Sequence, residues 1–232
     1  MKAFSNLLSD LILTSSRNRK LSLLEQYFSS TPDPDRGYAL AALTGSFSFK
    51  NIKASFFKDL IKEKQDEHLF DLSYDYVGDL AETISLLWDQ EKGGNMPRLS
   101  SLFENLKKAK NDELKNHIIN ILNISTADQR WAFIKLFTGG LRIGVSSRLV
   151  KQALANYGNV NLEEIEKIWH GLHFPYINLF SWLENKGSKP KISIYDIFHP
   201  MMLAHPLVVE KDLVTANPKD FVAEFKWDGI RV

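Results

Sequence analysis

Apolar residues recur at helical spacing along most of the chain, from the N-terminus to about residue 184. The stripes are short, and stretches rich in glycine, proline, serine and asparagine separate them. The alternation that is typical of strands is nearly absent. Segments with helical spacing are 7–12, 21–28, 38–43, 56–61, 69–76, 77–88, 99–106, 114–122, 127–137, 148–157 and 162–169. The pattern predicts an all-α domain of ten or more short helices, with Ser125 or Thr126 as the N-cap of the segment 127–137.

The composition and the hydrophobic pattern of the sequence change after residue 186. Residues 187–195 are basic and contain a proline, which is typical of a linker. Further on, the β-rich composition of DFVAEFKWDG, residues 220–229, predicts a strand that runs into a turn. Residues 196–232 are too few to build an α/β core of their own. We therefore expect a helical domain over 1–186 and the truncated beginning of a second domain, of another class, over 196–232.

The composition is that of an ordinary globular protein, and it limits how the chain can attract a charged partner. Of 232 residues, 44% are hydrophobic, and 29 basic side chains nearly balance 28 acidic ones, for a formal net charge of +1. The whole molecule therefore projects no strong field. Any affinity for nucleic acid must come from a local basic patch.

The absence of cysteine excludes disulfides, thiolate nucleophiles and cysteine-ligated zinc. The histidines show no ligand spacing with carboxylates, so we expect no structural metal. No apolar run approaches the ~20 residues that span a bilayer, and the N-terminus lacks the unbroken apolar core of a signal peptide. We expect a cytoplasmic protein without a membrane segment.

The C-terminal stretch EFKWDGIRV concentrates reactive side chains. Strand alternation places Lys226 and Asp228 on one side, Gly229 permits a tight turn, and Arg231 returns a cation towards the same region. A lysine whose pKa is lowered by burial or by neighbouring cations is a nucleophile, and its product with a nucleotide is a phosphoramide. On these residues alone, an exposed strand beside a β-turn is the simpler interpretation.

A glycine-rich turn in FIKLFTGGLRIGVSSRLVKQAL separates two predicted helices. The glycines at 139–140 supply the positive φ of a tight exit, Leu141 and Ile143 point inward, and Ser146 caps the following helix. Such a turn has little side-chain bulk, so a DNA backbone can approach its N–H groups and the helix N-terminus. Arg142, between the two inward residues, would point outward to a phosphate or the minor groove. An ordinary corner between two packed helices explains the glycines equally well.

Two further groups of basic residues are candidates for phosphate contacts. Arg17, Arg19 and Lys20 lie in a loop and at a helix start, where cations oppose the helix dipole, so an external anion could offset them. A solvated charged turn accounts for them equally well. Arg148 and Lys151 are about one turn apart on the helix after the glycine-rich turn, and we expect them on the same face as the turn's arginine.

Four segments in a fixed order resemble ATP-dependent DNA ligases. EFKWDGIR, residues 224–231, resembles the first signature of covalent nucleotidyltransferases, and HPMMLAHPL, residues 199–207, resembles the segment that leads into the adenylation domain of these ligases. GGLRIGVSSRLVKQAL, residues 139–154, and YVGDLAET, residues 76–83, resemble two signatures of their all-helical DNA-binding domain. The resemblance covers essentially the whole chain and is greatest to the bacterial three-domain type.

The resemblance implies a fold and a reaction. The fold would be a multi-helix DNA-binding domain followed by the first strand of an α/β nucleotidyltransferase domain. Lys226 would attack the α-phosphate of ATP, release pyrophosphate and pass AMP to the 5′-phosphate of a nick, after which the 3′-hydroxyl displaces AMP. Glu224 would lie near the adenine amino group, and Arg231 near the ribose or the nick phosphate. ATP and Mg²⁺ would serve the full-length enzyme, whereas this chain, which lacks the later motifs, would bind neither and be inactive alone.

The resemblance also favours DNA as the partner. We predict phosphate contacts, without sequence specificity, from nine residues: Arg17, Arg19, Lys20, Gly140, Arg142, Gly144, Ser146, Arg148 and Lys151. The chain would be a monomer that holds nicked duplex DNA weakly, in the service of DNA repair, replication and recombination. The alternative is a helical scaffold that binds a protein partner and has no role on nucleic acid. A ligase or capping enzyme for RNA fits less well, because such enzymes have little of this kind before the lysine motif.

Overall fold

A computed structural model describes residues 1–46, 52–89, 94–138 and 141–193, together with 197, 208, 214, 217–222 and 225. The chain forms two compact units, Met1–Phe198 and His199–Val232. In the second unit the described residues include a short 3-10 helix, Pro218–Asp220, whose first turn is capped by the side chain of Asn217.

The described residues form twelve α-helices and no strand, which confirms the prediction of an all-α domain. The helices are α1 Lys2–Ile12, α2 Arg17–Ser30, α3 Asp35–Leu43, α4 Ala54–Lys62, α5 Glu67–Val77, α6 Leu80–Leu87, α7 Leu99–Lys108, α8 Asn111–Ile124, α9 Ala127–Lys135, α10 Ser147–Gly158, α11 Leu162–Ile168 and α12 Ile177–Leu183. Most of the predicted strand lies outside the described residues. No helix in the described ranges is both long and apolar enough to cross a membrane.

Capping residues explain where several helices begin. Thr126 caps α9 in a reciprocal capping box with Gln129. Of the two predicted alternatives, Ser125 and Thr126, the structure therefore confirms Thr126. The predicted helix over 77–88 is wrong at its start, because Gly78 adopts a left-handed conformation with φ 74° and ends α5. Asp79 then caps α6 by accepting a hydrogen bond of 3.0 Å from the backbone N–H of Glu82. The two helices therefore meet at a sharp corner.

Helices α2 and α10 pack side by side in parallel, although they are distant in sequence. Near their N-terminal ends the Lys20 side chain reaches the backbone of Gly144. Further along, the amide of Asn156 donates a 2.7 Å hydrogen bond to Glu25. Because the contacts advance together along both helices, the two N-termini lie at the same end of the domain.

A buried arginine ties the C-terminal part of the domain to its centre. Arg36 is 6% exposed and lies 4.2 Å from the ring centroid of Phe180. Its guanidinium donates hydrogen bonds of 2.8 and 2.7 Å to the Asp33 carboxylate, and it also binds Glu184. The hydroxyl of Tyr157 donates a 2.7 Å hydrogen bond to the same Glu184. The network joins the start of α3 to α10 and to the end of α12.

This network predicts sensitivity to acid. The hydrogen bond from Arg36, followed by that from Lys186, lowers the pKa of Glu184 from 4.5 to about 2. Because the folded-state pKa lies below the unfolded one, the stabilisation is complete above about pH 4.5 and is lost as the pH falls towards 2. Glu184→Gln should reduce the free energy of unfolding at neutral pH by roughly 2 kcal/mol. Urea unfolding followed from pH 7 to pH 3 should also give this variant a flatter pH profile, and an unchanged profile would contradict the assignment.

Candidate nucleic-acid interface

The turn between α9 and α10 presents an arginine on a constrained backbone. Ile143 is buried at 4% exposure and anchors the turn, as predicted, whereas Leu141 is only partly buried. Between them Arg142 is exposed and has a φ of 49°, and Gly144 has a φ of 65°. A left-handed conformation costs a non-glycine residue about 1–2 kcal/mol. The turn therefore holds Arg142 outward at a cost in stability.

Lys20 fixes the position of this turn from the neighbouring helix. Its side chain is 8% exposed, and Nζ donates hydrogen bonds of 3.2 and 2.9 Å to the carbonyl oxygens of Ile143 and Gly144. A Cβ on Gly144 would lie 2.5 Å from that Nζ and would displace the ammonium, and the positive φ of this residue also favours glycine. Lys20 thus differs from Arg17 and Arg19, which are exposed. Its place on the apolar face of α2, next to Leu21 and Leu24, is the signal in the sequence that separates it from them.

Two helix N-termini open on the same surface depression. Ser16 caps α2 by accepting a 3.3 Å hydrogen bond from the N–H of Arg19, and Ser146 caps α10 by accepting one of 3.2 Å from Leu149. The cap at Ser146 was predicted and is confirmed. Neither helix has an acidic residue in its first turn, so the positive end of each dipole is not offset by a carboxylate of its own helix.

We call this depression the cationic concavity, and its volume is about 600 Å³. The described residues that line it are Ser15, Arg17, Lys20, Arg142, Gly144, Val145, Ser146 and Leu149, and none of them is acidic. The structure therefore brings together two basic groups that the sequence places more than a hundred residues apart. The cationic concavity thus combines backbone N–H groups, two helix N-termini and two exposed guanidinium groups. Groups of these kinds bind phosphate oxygens in proteins.

The other predicted contact residues are placed less favourably for an anion. Arg19 is exposed but does not line the cationic concavity. Arg148 is exposed as well, and its Nε lies 3.7 Å from a carboxylate oxygen of Glu166. The Lys151 ammonium lies 4.6 Å from the ring centroid of Trp169, and burial lowers its pKa while Glu166 opposes the shift. Both α10 cations are thus partly neutralised within the domain.

Four predicted site residues, Gly140, Glu224, Lys226 and Arg231, lie outside the described residues. Their roles stay predictions.

Arg142 also borders a second recess, which sequence reasoning missed. Lys58 and Lys135 line this recess together with the corner between α5 and α6. Lys135 is paired with Asp79, and although burial alone would raise the pKa of Asp79, the hydrogen bonds from Lys135 and from the Glu82 backbone lower it. Lys58 lies 4.5 Å from the ring centroid of Tyr74. These lysines come from separate helices, so only the fold reveals that they flank Arg142.

Residues 1–155 match the family model described as DNA ligase N terminus. The chain belongs to this family of DNA ligase N-terminal domains. The match includes both groups of residues that meet at the cationic concavity, and it ends within α10. Among curated proteins, none matches this chain significantly. A ligase domain of this family implies DNA as the partner, which agrees with the charge and the shape of the concavity.

The role of Lys20 leads to a prediction about the stability of the ligase domain. Lys20→Met keeps the apolar stem but leaves the carbonyl oxygens of Ile143 and Gly144 without their donor, which should cost about 1–3 kcal/mol. Urea unfolding measures the change. Arg19→Met, on the same helix but exposed, is the matched control and should change stability by less than about 0.5 kcal/mol. Equal, small effects of the two substitutions would show that Lys20 does not hold the turn.

Proposed function

We propose that this chain is the DNA-binding part of an ATP-dependent DNA ligase that seals nicks in duplex DNA through enzyme-lysyl-AMP and DNA-adenylate intermediates. One observation carries the proposal. In a DNA ligase N-terminal domain, the N-termini of α2 and α10 converge with Arg17 and Arg142 on a single cationic concavity. All of these groups bind phosphate oxygens.

The geometry supports contact with the DNA backbone rather than with bases. Main-chain N–H groups and helix dipoles bind a phosphate whichever base it carries, so contacts of this kind position a duplex without reading its sequence. Arg142 stands between the cationic concavity and the recess that holds Lys58 and Lys135. A strand that follows this surface would place one phosphate at the cationic concavity and another near Lys58, on the other side of Arg142, since Lys135 is paired with Asp79. Tolerance of any sequence is what nick sealing requires.

The chemical step is proposed from the sequence motif and the family. Lys226 would be the nucleophile towards the α-phosphate of ATP, Glu224 would face the adenine amino group, and Arg231 would face the ribose or the nick phosphate. ATP and Mg²⁺ supply the adenylate and the charge neutralisation that phosphoryl transfer needs. We expect the 232-residue chain alone to stay unlabelled when it is incubated with Mg²⁺ and ATP that is radioactive at the α-phosphate. Covalent label on Lys226 would contradict that expectation.

Fluorescence anisotropy with a labelled nicked duplex tests the DNA-binding proposal directly. At about 50 mM salt we expect weak but measurable binding by the monomeric chain, and an affinity that falls as salt rises towards 200 mM. Duplexes of unrelated sequence should bind equally. A helical scaffold for protein partners would show no binding, and the absence of binding at the lower salt concentration would decide for that alternative.

A further inference from the structure

A second depression lies on the faces of α1, α6 and α9 and has a different chemistry. Its volume is about 480 Å³, and the large apolar side chains that line it are Ile12, Leu13, Leu86 and Trp131. Three of them are large aliphatic residues with unusually high exposure, at 49% for Ile12, 84% for Leu13 and 66% for Leu86. We call this depression the apolar groove. Clustered apolar exposure of this kind marks binding surfaces on soluble proteins.

The fold does not require these apolar side chains. Leu13 is the C-cap of α1, beyond the residues that this helix buries. Leu86 follows the buried stripe of α6 that includes Ile84 and is not part of it. Trp131 packs only partly against the core, whereas its neighbours Ala132 and Phe133 are fully buried. Polar residues at Leu13 and Leu86 would leave the core unchanged. Core packing therefore does not explain why these two positions are apolar.

The rim of the apolar groove is electronegative. Glu82 and Asp128 line it, and neither carboxylate forms an ion pair within the part of the chain that the structure describes. The C-terminal end of α1 adds the negative pole of a helix dipole, and its last turn contains no basic residue. The two carboxylates lie in the first turns of α6 and α9, whose N-termini each carry about half a positive charge, so the net charge of the rim is negative. Such a surface repels phosphate and attracts lysine and arginine.

We propose that the apolar groove binds a short amphipathic segment of a partner protein, one that presents bulky apolar side chains flanked by lysine or arginine. The apolar floor would take one or two side chains of the segment, since grooves of this size accept an amphipathic helix through a few anchors. Trp131 supplies the kind of large, partly buried surface that dominates binding energy at interfaces. Glu82 and Asp128 would pair with the flanking cations and set the orientation. The groove shares no lining residue with the cationic concavity, so this proposal does not rest on DNA binding.

A peptide library displayed on phage tests the proposal without a known partner. Random short peptides are selected on the full chain after depletion on the Leu13→Ser, Leu86→Ser double variant, so that only groove-dependent binders remain. We expect the enriched peptides to combine aromatic or aliphatic residues with lysine or arginine. An enriched peptide, labelled for anisotropy, should bind the wild type at least about tenfold more tightly than Leu86→Ser. Glu82→Gln and Asp128→Asn should each weaken it by roughly two- to fivefold and reduce its dependence on salt.

The control variant is Leu72→Ser, which replaces a leucine of similar exposure, 57%, on α5 and outside the groove. It should bind the enriched peptide like the wild type. Enrichment of acidic peptides, or of none that depend on the groove, would overturn the proposal. Sedimentation of the wild type as a dimer that Leu86→Ser dissociates would also overturn it, because a second copy of the chain would then be the occupant.

Discussion

Replacing Arg142 with glutamate is expected to weaken the binding of duplex DNA by about 10- to 100-fold at low salt. The substitution removes one of two exposed guanidinium groups at the cationic concavity and places a carboxylate between two helix N-termini. Arg142 also borders the recess with Lys58 and Lys135, so its loss affects both sides of the turn. Anisotropy with a labelled nicked duplex measures the change in Kd.

The charge-matched control for this variant is Lys2→Glu, an exposed position in the first turn of α1. It changes the net charge of the protein by the same amount and should alter DNA affinity by less than about threefold. Comparable losses in the two variants would mean that DNA responds to overall charge only, and the assignment of Arg142 to a phosphate contact would fail.

Gly37→Ala is expected to destabilise the domain severely. Glycine to alanine within a helix ordinarily stabilises by up to about 1 kcal/mol, but a Cβ on Gly37 would lie 1.8 Å from the carbonyl oxygen of Pro175. That oxygen belongs to the backbone and cannot rotate away, so α3 and the segment before α12 would have to separate. We expect a loss of about 3 kcal/mol or more in the free energy of unfolding, measured by urea denaturation or, if the protein does not accumulate, by its soluble yield.

Gly158→Ala provides a comparison of the same substitution in a less rigid environment. In Gly158→Ala the new Cβ would meet the side chain of Leu183, with Cδ2 at 2.4 Å, and a side chain can move more easily than a backbone. This variant should therefore lose less stability than Gly37→Ala. The reverse order, or stabilisation by Gly37→Ala, would contradict the close packing of α3 against the Pro175 segment.

Local signals in the sequence were sufficient for most helices but not for every boundary. Thr126 and Ser146 were predictable as caps because a hydroxyl residue directly precedes an apolar periodic run. The boundary between α5 and α6 was predicted two residues too early, between 76 and 77 instead of at Gly78 and Asp79, since the apolar spacing continues across it. Helix α12 was not singled out, because no capping side chain and no acidic first-turn residue marks its start, whereas α11, which is equally short, has Glu163 and Glu164 in its first turn.

The candidate site could be predicted from the sequence only in part. Each half of it, the basic residues in the first turn of α2 and the glycine-rich turn before α10, was visible in the sequence. Periodicity reveals which face of a helix is buried but not which helix covers it, so the convergence of the halves could not be predicted. Lys20 was grouped with exposed cations, although its place on the apolar face of α2 marks it as buried; only its partner, the carbonyl of Gly144, could not be predicted.

The salt dependence of DNA binding shows whether the cationic concavity holds the DNA backbone. Each phosphate contact contributes about 0.9 to the slope of log K against log salt for duplex DNA. We expect the Arg17→Gln, Arg142→Gln double variant to bind a nicked duplex with a slope smaller than that of the wild type by about two, while its unfolding curve stays unchanged. An identical slope in the variant and the wild type would show that the cationic concavity does not hold the DNA backbone.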